Sequence, residues 1–331
     1  MKKYIIILLI LLSTTTKAEI KEINSKDNNF IQNILATYEN DSIYGGDKYY
    51  TNGVQLLLTT KTFNSVSNSI LYDIFDKSYY NYSFGLAQKM FTPENINTTE
   101  LIANDRPYAG YLYLFLNTNI YHNNQLDSIG LSIGCTGKCS LAENIQTKIH
   151  DMIGSPVPEG WDNQLSNQLL FMISYLKMIN INKTLDYIYD WQLTPKFHIN
   201  LGTPYTNSSI HLEFRYGYNL EKDYIQNRLN SNQLGIIRNS YNKNMNDISY
   251  YIFLEAIANI NLYDTFLDNT YNNGRYEHNI EKEIFNYEIN GGLSFRYSNY
   301  YIKYSTMFIS KQFKEQNDNE LIFGITAGYL F

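Results

Sequence analysis

The stretch Glu320-Leu-Ile-Phe-Gly-Ile-Thr-Ala-Gly-Tyr-Leu-Phe331 alternates strictly. Successive side chains of an extended chain point to opposite faces. Leu321, Phe323, Ile325, Ala327, Tyr329 and Phe331 therefore share one face, and Gly324, Thr326 and Gly328 share the other. This period of two predicts a β-strand with one apolar side. Working outward, the pattern recurs. Tyr287, Ile289, Gly291, Leu293, Phe295 and Tyr297 alternate with Glu288, Asn290, Gly292, Ser294 and Arg296. Ile210, Leu212, Phe214, Tyr216 and Tyr218 oppose His211, Glu213, Arg215 and Gly217, and Leu193 to Leu201 alternates with Gln192 to Asn200 in the same way.

A soluble sandwich would turn these apolar faces into a core, whereas a membrane barrel turns them to lipid and lines its lumen with the polar ones. The segments run to about ten residues, the length of a tilted membrane strand. Aromatics gather at their ends, as in interface girdles. The terminal Phe331 resembles the signal by which outer-membrane proteins are recognised for insertion. The expected fold is all-β, a transmembrane antiparallel barrel of about twelve strands. They are placed near 30–40, 49–60, 80–91, 108–121, 126–135, 165–179, 186–201, 208–219, 248–262, 284–297, 299–311 and 319–331.

Residues 1–18 read as a secretory signal: a basic Met-Lys-Lys, an apolar Tyr4 to Leu12, and Thr16-Lys17-Ala18 before the cut. The remainder, 19–331, reads as one barrel domain. The net charge of −6 becomes more negative without Lys2, Lys3 and Lys17 and argues against nucleic-acid binding. The 32 tyrosines suit strands and membrane interfaces. Cys135 and Cys139, four apart in an exported chain, suggest a local disulfide.

Three stretches interrupt the strands. Residues 220–247 are polar and Asn-rich, as expected of a long outer loop, and 263–283 look similar. Residues 136–164 hold a short helix in an outer-rim loop. Ser140 and Glu143 have capping-box spacing, Leu141, Ile145, Ile149 and Met152 recur at helical spacing and are expected to face inward, and Gly154 and Pro156 end the helix. The polar face carries Glu143, Gln146 and His150.

Several motifs could carry chemistry. Glu39-Asn40-Asp41 ends the first strand, and Asp47-Lys48-Tyr49-Tyr50-Thr51-Asn52-Gly53 opens the second. Their carboxylate, amide and hydroxyl oxygens suit a hard cation such as calcium, and equally a polar hairpin turn. Arg106, in Asn104-Asp105-Arg106-Pro107, could grip an anionic headgroup or pair with Asp105 to fix the chain. Of five histidines, His150 is set apart by its helix and by Gln146 one turn earlier; an imidazole can act as general base on water. There is no His-Glu-x-x-His or phosphate loop.

In order, Glu39-Asn40-Asp41, Tyr50-Thr51-Asn52-Gly53, Thr92-Pro93, Asp105-Arg106-Pro107-Tyr108-Ala109-Gly110, Gln146-x-x-x-His150, Ile153-Gly154 and Gly160-Trp161-Asp162-Asn163-Gln164 resemble the outer-membrane lipid A 3'-O-deacylase family. The resemblance implies a twelve-stranded barrel of the bacterial outer membrane with its site near the outer rim. It implies a calcium-dependent ester hydrolase acting on lipid A, the lipid anchor of lipopolysaccharide. Carried over, His150 is the base, Asn40, Asp41 and Thr51 are active-site positions, Asp41 is a metal ligand, and Gln146 and Arg106 face substrate. The family's pattern also has a lysine between the Thr-Pro and Asp-Arg motifs. Here Glu94 to Asn104 contains none, leaving Lys89 or Arg106 to supply the charge. A phospholipase-type barrel with a serine nucleophile, and a pore or adhesin, are the rival readings.

Overall fold

The computed structural model describes residues 30–44, 47–64, 79–122, 124–184, 189–220, 226–229, 232–235, 248–268 and 278–331. The signal at 1–18 lies outside them. Twelve long antiparallel strands run in chain order: β1 Ile31–Asn40, β2 Tyr49–Thr60, β3 Tyr79–Thr92, β4 Ala109–His122, β5 Gln125–Thr136, β6 Gln168–Ile179, β7 Tyr189–Gly202, β8 Tyr205–Tyr218, β9 Ile248–Asp264, β10 Phe285–Tyr297, β11 Tyr300–Ile309 and β12 Glu320–Leu330. Each expected strand is present, with ends shifted by a few residues. Two short pieces, Phe63–Asn64 and Ile181–Thr184, extend the ladders beside β3 and β7.

The sheet closes on itself. β12 pairs with β1 from Asn33↔Leu330 to Asn40↔Phe323, and β8 pairs with both β7 and β9. Closure leaves no long edge with unpaired backbone groups, which a hydrocarbon surrounding requires. The side-chain pattern is the inverse of a soluble protein. Ile210, Leu212 and Phe214 of β8 are exposed, while His211, Glu213 and Arg215 are buried. Ile252 and Leu254 of β9 are exposed beside buried Phe253 and Glu255. A barrel that is apolar outside and polar inside spans a membrane by its strands.

The lumen is filled. Lys196 bridges Glu213 Oε2 at 3.0 Å and Glu255 Oε1 at 2.7 Å, and Arg215 meets Glu213 Oε2 at 3.0 Å. Asn227 Nδ2 donates to Glu213 Oε1 and Glu255 Oε2 at 2.9 and 2.7 Å. Asn227 belongs to the segment expected to be an outer loop, and the structure corrects that expectation. The chain leaves β8 at the rim where β1 begins and β12 ends, opposite the helix, and the described residues 226–229 and 232–235 fold into the lumen. Leu229, Asn232 and Leu234 are fully covered there.

The helix, α1 Ala142–Ile153, follows β5 at the other rim. A disulfide joins Cys135 at the end of β5 to Cys139 in the turn before α1. Gly154 ends the helix in the left-handed conformation (φ 70°), as its sequence position suggests. The expected capping box does not form. Leu141 takes the N-cap position at φ 60°, Ser140 Oγ donates instead to the Gly137 carbonyl at 2.6 Å, and Glu143 accepts from Gln164 Nε2 at 2.8 Å.

Candidate active site

The helix lies with its polar face toward the barrel, which also corrects expectation. Gln146 and Ala142 are buried, whereas Leu141, Ile145, Ile149, Met152 and Ile153 are exposed. The start of α1 rests on the outer wall. Gln88 Nε2 of β3 donates to the Ser140 carbonyl at 2.5 Å, and Gly110 of β4 lies so close that a Cβ would meet Ser140 Oγ and the Ala142 Cβ at 2.1 and 2.4 Å. Gln88 and Gly110 lie in register with exposed Leu86 and Leu114, on the lipid-facing side. The exposed apolar helix face thus continues the apolar outer belt of the wall.

The motifs around the helix hold it in place. Tyr108 and Trp161 pack with centroids 4.9 Å apart, within an apolar cluster that includes Met90, Ile96 and Ala142. Trp161 Nε1 donates to Gln146 Oε1 at 2.8 Å, and Leu165 N–H donates to the Tyr108 carbonyl at 3.0 Å. Asp105 accepts the backbone N–H groups of Glu94 and Arg106, both at 2.7 Å, which pins the 93–108 loop. Gly160 is pressed against Tyr108, where a Cβ would stand 2.5 Å from the ring.

Gln146 and His150 both turn toward Asp47 in the β1–β2 loop. Gln146 Nε2 donates to Asp47 Oδ1 at 3.2 Å, and His150 Nε2 stands 3.3 Å from Asp47 Oδ2. His150 Nδ1 is 2.6 Å from the Pro156 carbonyl oxygen. A carbonyl only accepts, so Nδ1 carries the hydrogen and, in the neutral ring, Nε2 has the free lone pair. The imidazole is therefore oriented with its basic nitrogen toward the β1–β2 loop.

On that loop Asp41 is buried. Its Oδ2 accepts the Lys48 N–H at 2.8 Å, while its Oδ1 is enclosed without a hydrogen bond, as is Asp47 Oδ2. Burial pushes the Asp41 carboxyl up to about 8; the Lys48 amide opposes this and the neighbouring Asp47 charge adds to it. Burial likewise raises Asp47, with His150 and Gln146 pulling it down. Asn40 Nδ2 donates to the Thr51 carbonyl at 2.8 Å, and Thr51 Oγ1 is 2.6 Å from Thr92 Oγ1, which itself donates to the Asp47 carbonyl at 3.1 Å. A chain of contacts thus links Asn40, Thr51, Asp47, Gln146 and His150. Asp41 lies in the same loop, tied to Lys48.

Lys89 and Arg106 lie elsewhere. Lys89 is on the lumen side of β3, with Nζ 5.7 Å from the Tyr205 ring centroid. Arg106 is buried over the Phe91 ring at 4.3 Å, with Nη1 3.4 Å from Gln312 Oε1. Neither is brought to His150. Asp47 is the residue that sequence reasoning passed over: it stood in a quoted motif, but its turn-forming chemistry explained it locally.

Among the described residues no three or more His, Cys, Asp or Glu form a metal cluster. The two carboxylates nevertheless fit a hard cation. They are close enough to repel, and each has a buried oxygen without a hydrogen bond. Calcium accepts such oxygens together with backbone, water or substrate oxygens.

Residues 5–331 match the family described as outer membrane protein LpxR. Among solved structures, LpxR from Salmonella typhimurium superposes with a TM-score of 0.72 at 16% identity, covering 90% of this chain and 100% of that one. The β domain of the Bordetella autotransporter BrkA follows at a TM-score of 0.43 and 8% identity, over 92% of this chain and 99% of that one. No curated protein sequence matches.

Proposed function

Since the chain belongs to the LpxR family of outer membrane proteins, we propose that it is a lipid A 3'-O-deacylase, an ester hydrolase that releases the 3'-linked acyloxyacyl group of lipopolysaccharide. The observation that carries this reading is the His150–Asp47 contact between a lipid-facing helix and the barrel rim. An ester of an outer-leaflet lipid lies at the height of that rim and can be reached without extracting the lipid.

His150 accepts a proton from water at Nε2 while the Pro156 carbonyl holds Nδ1–H. Asp47 Oδ2, 3.3 Å away, then faces an imidazolium and stabilises it. Gln146 keeps Asp47 in place from the same helix face, and Trp161 keeps Gln146 in place. Asn40 and Thr51 hold the β1 and β2 ends together beside them. Asp41 would hold calcium through Oδ1, which lacks a hydrogen bond, in the same loop as Asp47. Calcium, when bound, polarises the ester carbonyl and stabilises the oxyanion. Lys89 and Arg106 are buried on the other side of the same wall.

Purified protein incubated with lipopolysaccharide and calcium tests the reading. Mass spectrometry of the lipid A should show loss of the 3'-acyloxyacyl mass, abolished by chelation and by Asp41→Asn. Hydrolysis that survives chelation but stops when a single serine is replaced would instead favour the serine-nucleophile barrel.

A further inference from the structure

The wall that carries Asn40 and Thr51 on its outer side carries Glu39 and Tyr50 on its inner side, one residue earlier on each strand. These inner residues are engaged by the lumen segment that enters from the opposite rim. Leu229 N–H donates to Glu39 Oε1 at 2.6 Å, and the Tyr50 hydroxyl donates to Glu39 Oε2, also at 2.6 Å. Arg228 lies 5.3 Å from the Tyr50 ring centroid and donates to Glu288 Oε1 at 2.6 Å. Gly53, opposite Glu39 in the ladder, leaves the space they share: a Cβ there would meet the Tyr50 hydroxyl at 2.0 Å and Leu229 Cδ1 at 2.6 Å. Asn227 fastens the segment to β8 and β9 across the lumen.

This part of β2 needs such support. Its pairing with β3 shifts register between Tyr50 and Asn52, so Thr51 sits at an irregularity, and Tyr49 has φ 64°. A bulged strand end is not held by its ladder alone. We propose that Asn227–Leu229 is a positioning element that clamps Glu39 and Tyr50 from inside and so fixes Asn40 and Thr51 for the chemistry outside. The catalytic consequence rests on the deacylase reading; the clamp itself does not.

Leu229→Pro removes the donor to Glu39, and Tyr50→Phe removes the same carboxylate's other partner. Each is compared with wild type, together with Arg228→Ala and its conservative counterpart Arg228→Lys. Barrel folding is read from heat-modifiable gel migration, turnover from kcat and KM on lipopolysaccharide, and site order from hydrogen exchange of peptides containing Thr51. The clamp predicts folded barrels, kcat lowered at least tenfold in Leu229→Pro, Tyr50→Phe and Arg228→Ala, KM within twofold, faster exchange at Thr51, and substantial rescue in Arg228→Lys. Folded variants with wild-type kcat and unchanged exchange would overturn it. If wild type proves inactive on lipopolysaccharide, exchange decides alone: faster exchange at Thr51 upholds the clamp while the deacylase reading falls, and unchanged exchange overturns the clamp.

Discussion

His150 Nε2 stands 3.3 Å from Asp47 Oδ2, joining the helix after β5 to the loop after β1. The contact makes a quantitative prediction. Asp47→Asn removes the charge facing the imidazolium and should lower kcat about 10–100-fold, as for other partners that orient and polarise an active-site group. His150→Ala should cost about 10²–10⁴-fold, the usual contribution of a general base. Because the two act as a unit, the double variant should lose little more than His150→Ala alone. Fully additive losses in steady-state kinetics would separate them.

The outward-facing apolar side of α1 predicts a second effect. Met152 and Ile153 are 79% and 65% exposed. If lipid covers them, Met152→Asp with Ile153→Asp should cut activity on lipopolysaccharide in bilayers by about tenfold or more, since burying each such side chain is worth about 1.5–3 kcal/mol. Activity on detergent-dispersed substrate should change little. Equal losses in both assays would mean that the side chains support the fold instead.

Legibility in the sequence follows from which solvent each residue meets. The strands were readable because a wall between lipid and a wet lumen imposes a period of two along its whole length. The same setting misleads for α1. Leu141, Ile145, Ile149 and Met152 look like a buried stripe under the rule for soluble helices, but here the apolar surroundings lie outside. Residues 220–247 read as an outer loop, but strand parity sends the chain out of β8 at the rim where β1 begins and β12 ends, and out of β5 into the helix at the other. That residues 226–229 and 232–235 enter the lumen has no local signal, because their partners Glu39, Glu213, Glu255 and His198 are distant in sequence. His150, Asn40, Asp41, Thr51 and Gln146 are singled out by ordered motifs, and the fold brings them to one loop and the helix above it; Asp47 comes into view only with the fold.

The disulfide offers a milder test. Cys135–Cys139 closes a very short loop, and constraining so few residues in the unfolded chain is worth about 2 kcal/mol in the entropic account. Cys135→Ser with Cys139→Ser should leave the barrel folded and increase protease sensitivity in 137–154, where α1 begins. An unchanged cleavage pattern would show that Gln88, Gly110 and Trp161 anchor the helix without it.

Buried charge predicts a larger effect on stability. Lys196 is fully buried between Glu213 and Glu255. Lys196→Met leaves both carboxylates with one cationic partner fewer and should destabilise the barrel by about 3–5 kcal/mol, the usual result of removing one member of a buried network. Denaturant titration followed by tryptophan fluorescence measures this. A change below about 1 kcal/mol would mean that Arg215 suffices.

The most direct test of the account is mass spectrometry of lipid A from cells producing the wild-type protein or His150→Ala, with calcium present and barrel folding verified for both. The account predicts that wild type strips the 3'-acyloxyacyl group and that His150→Ala leaves lipid A intact. An unmodified lipid A profile with folded wild-type protein, or equal deacylation by His150→Ala, would contradict it.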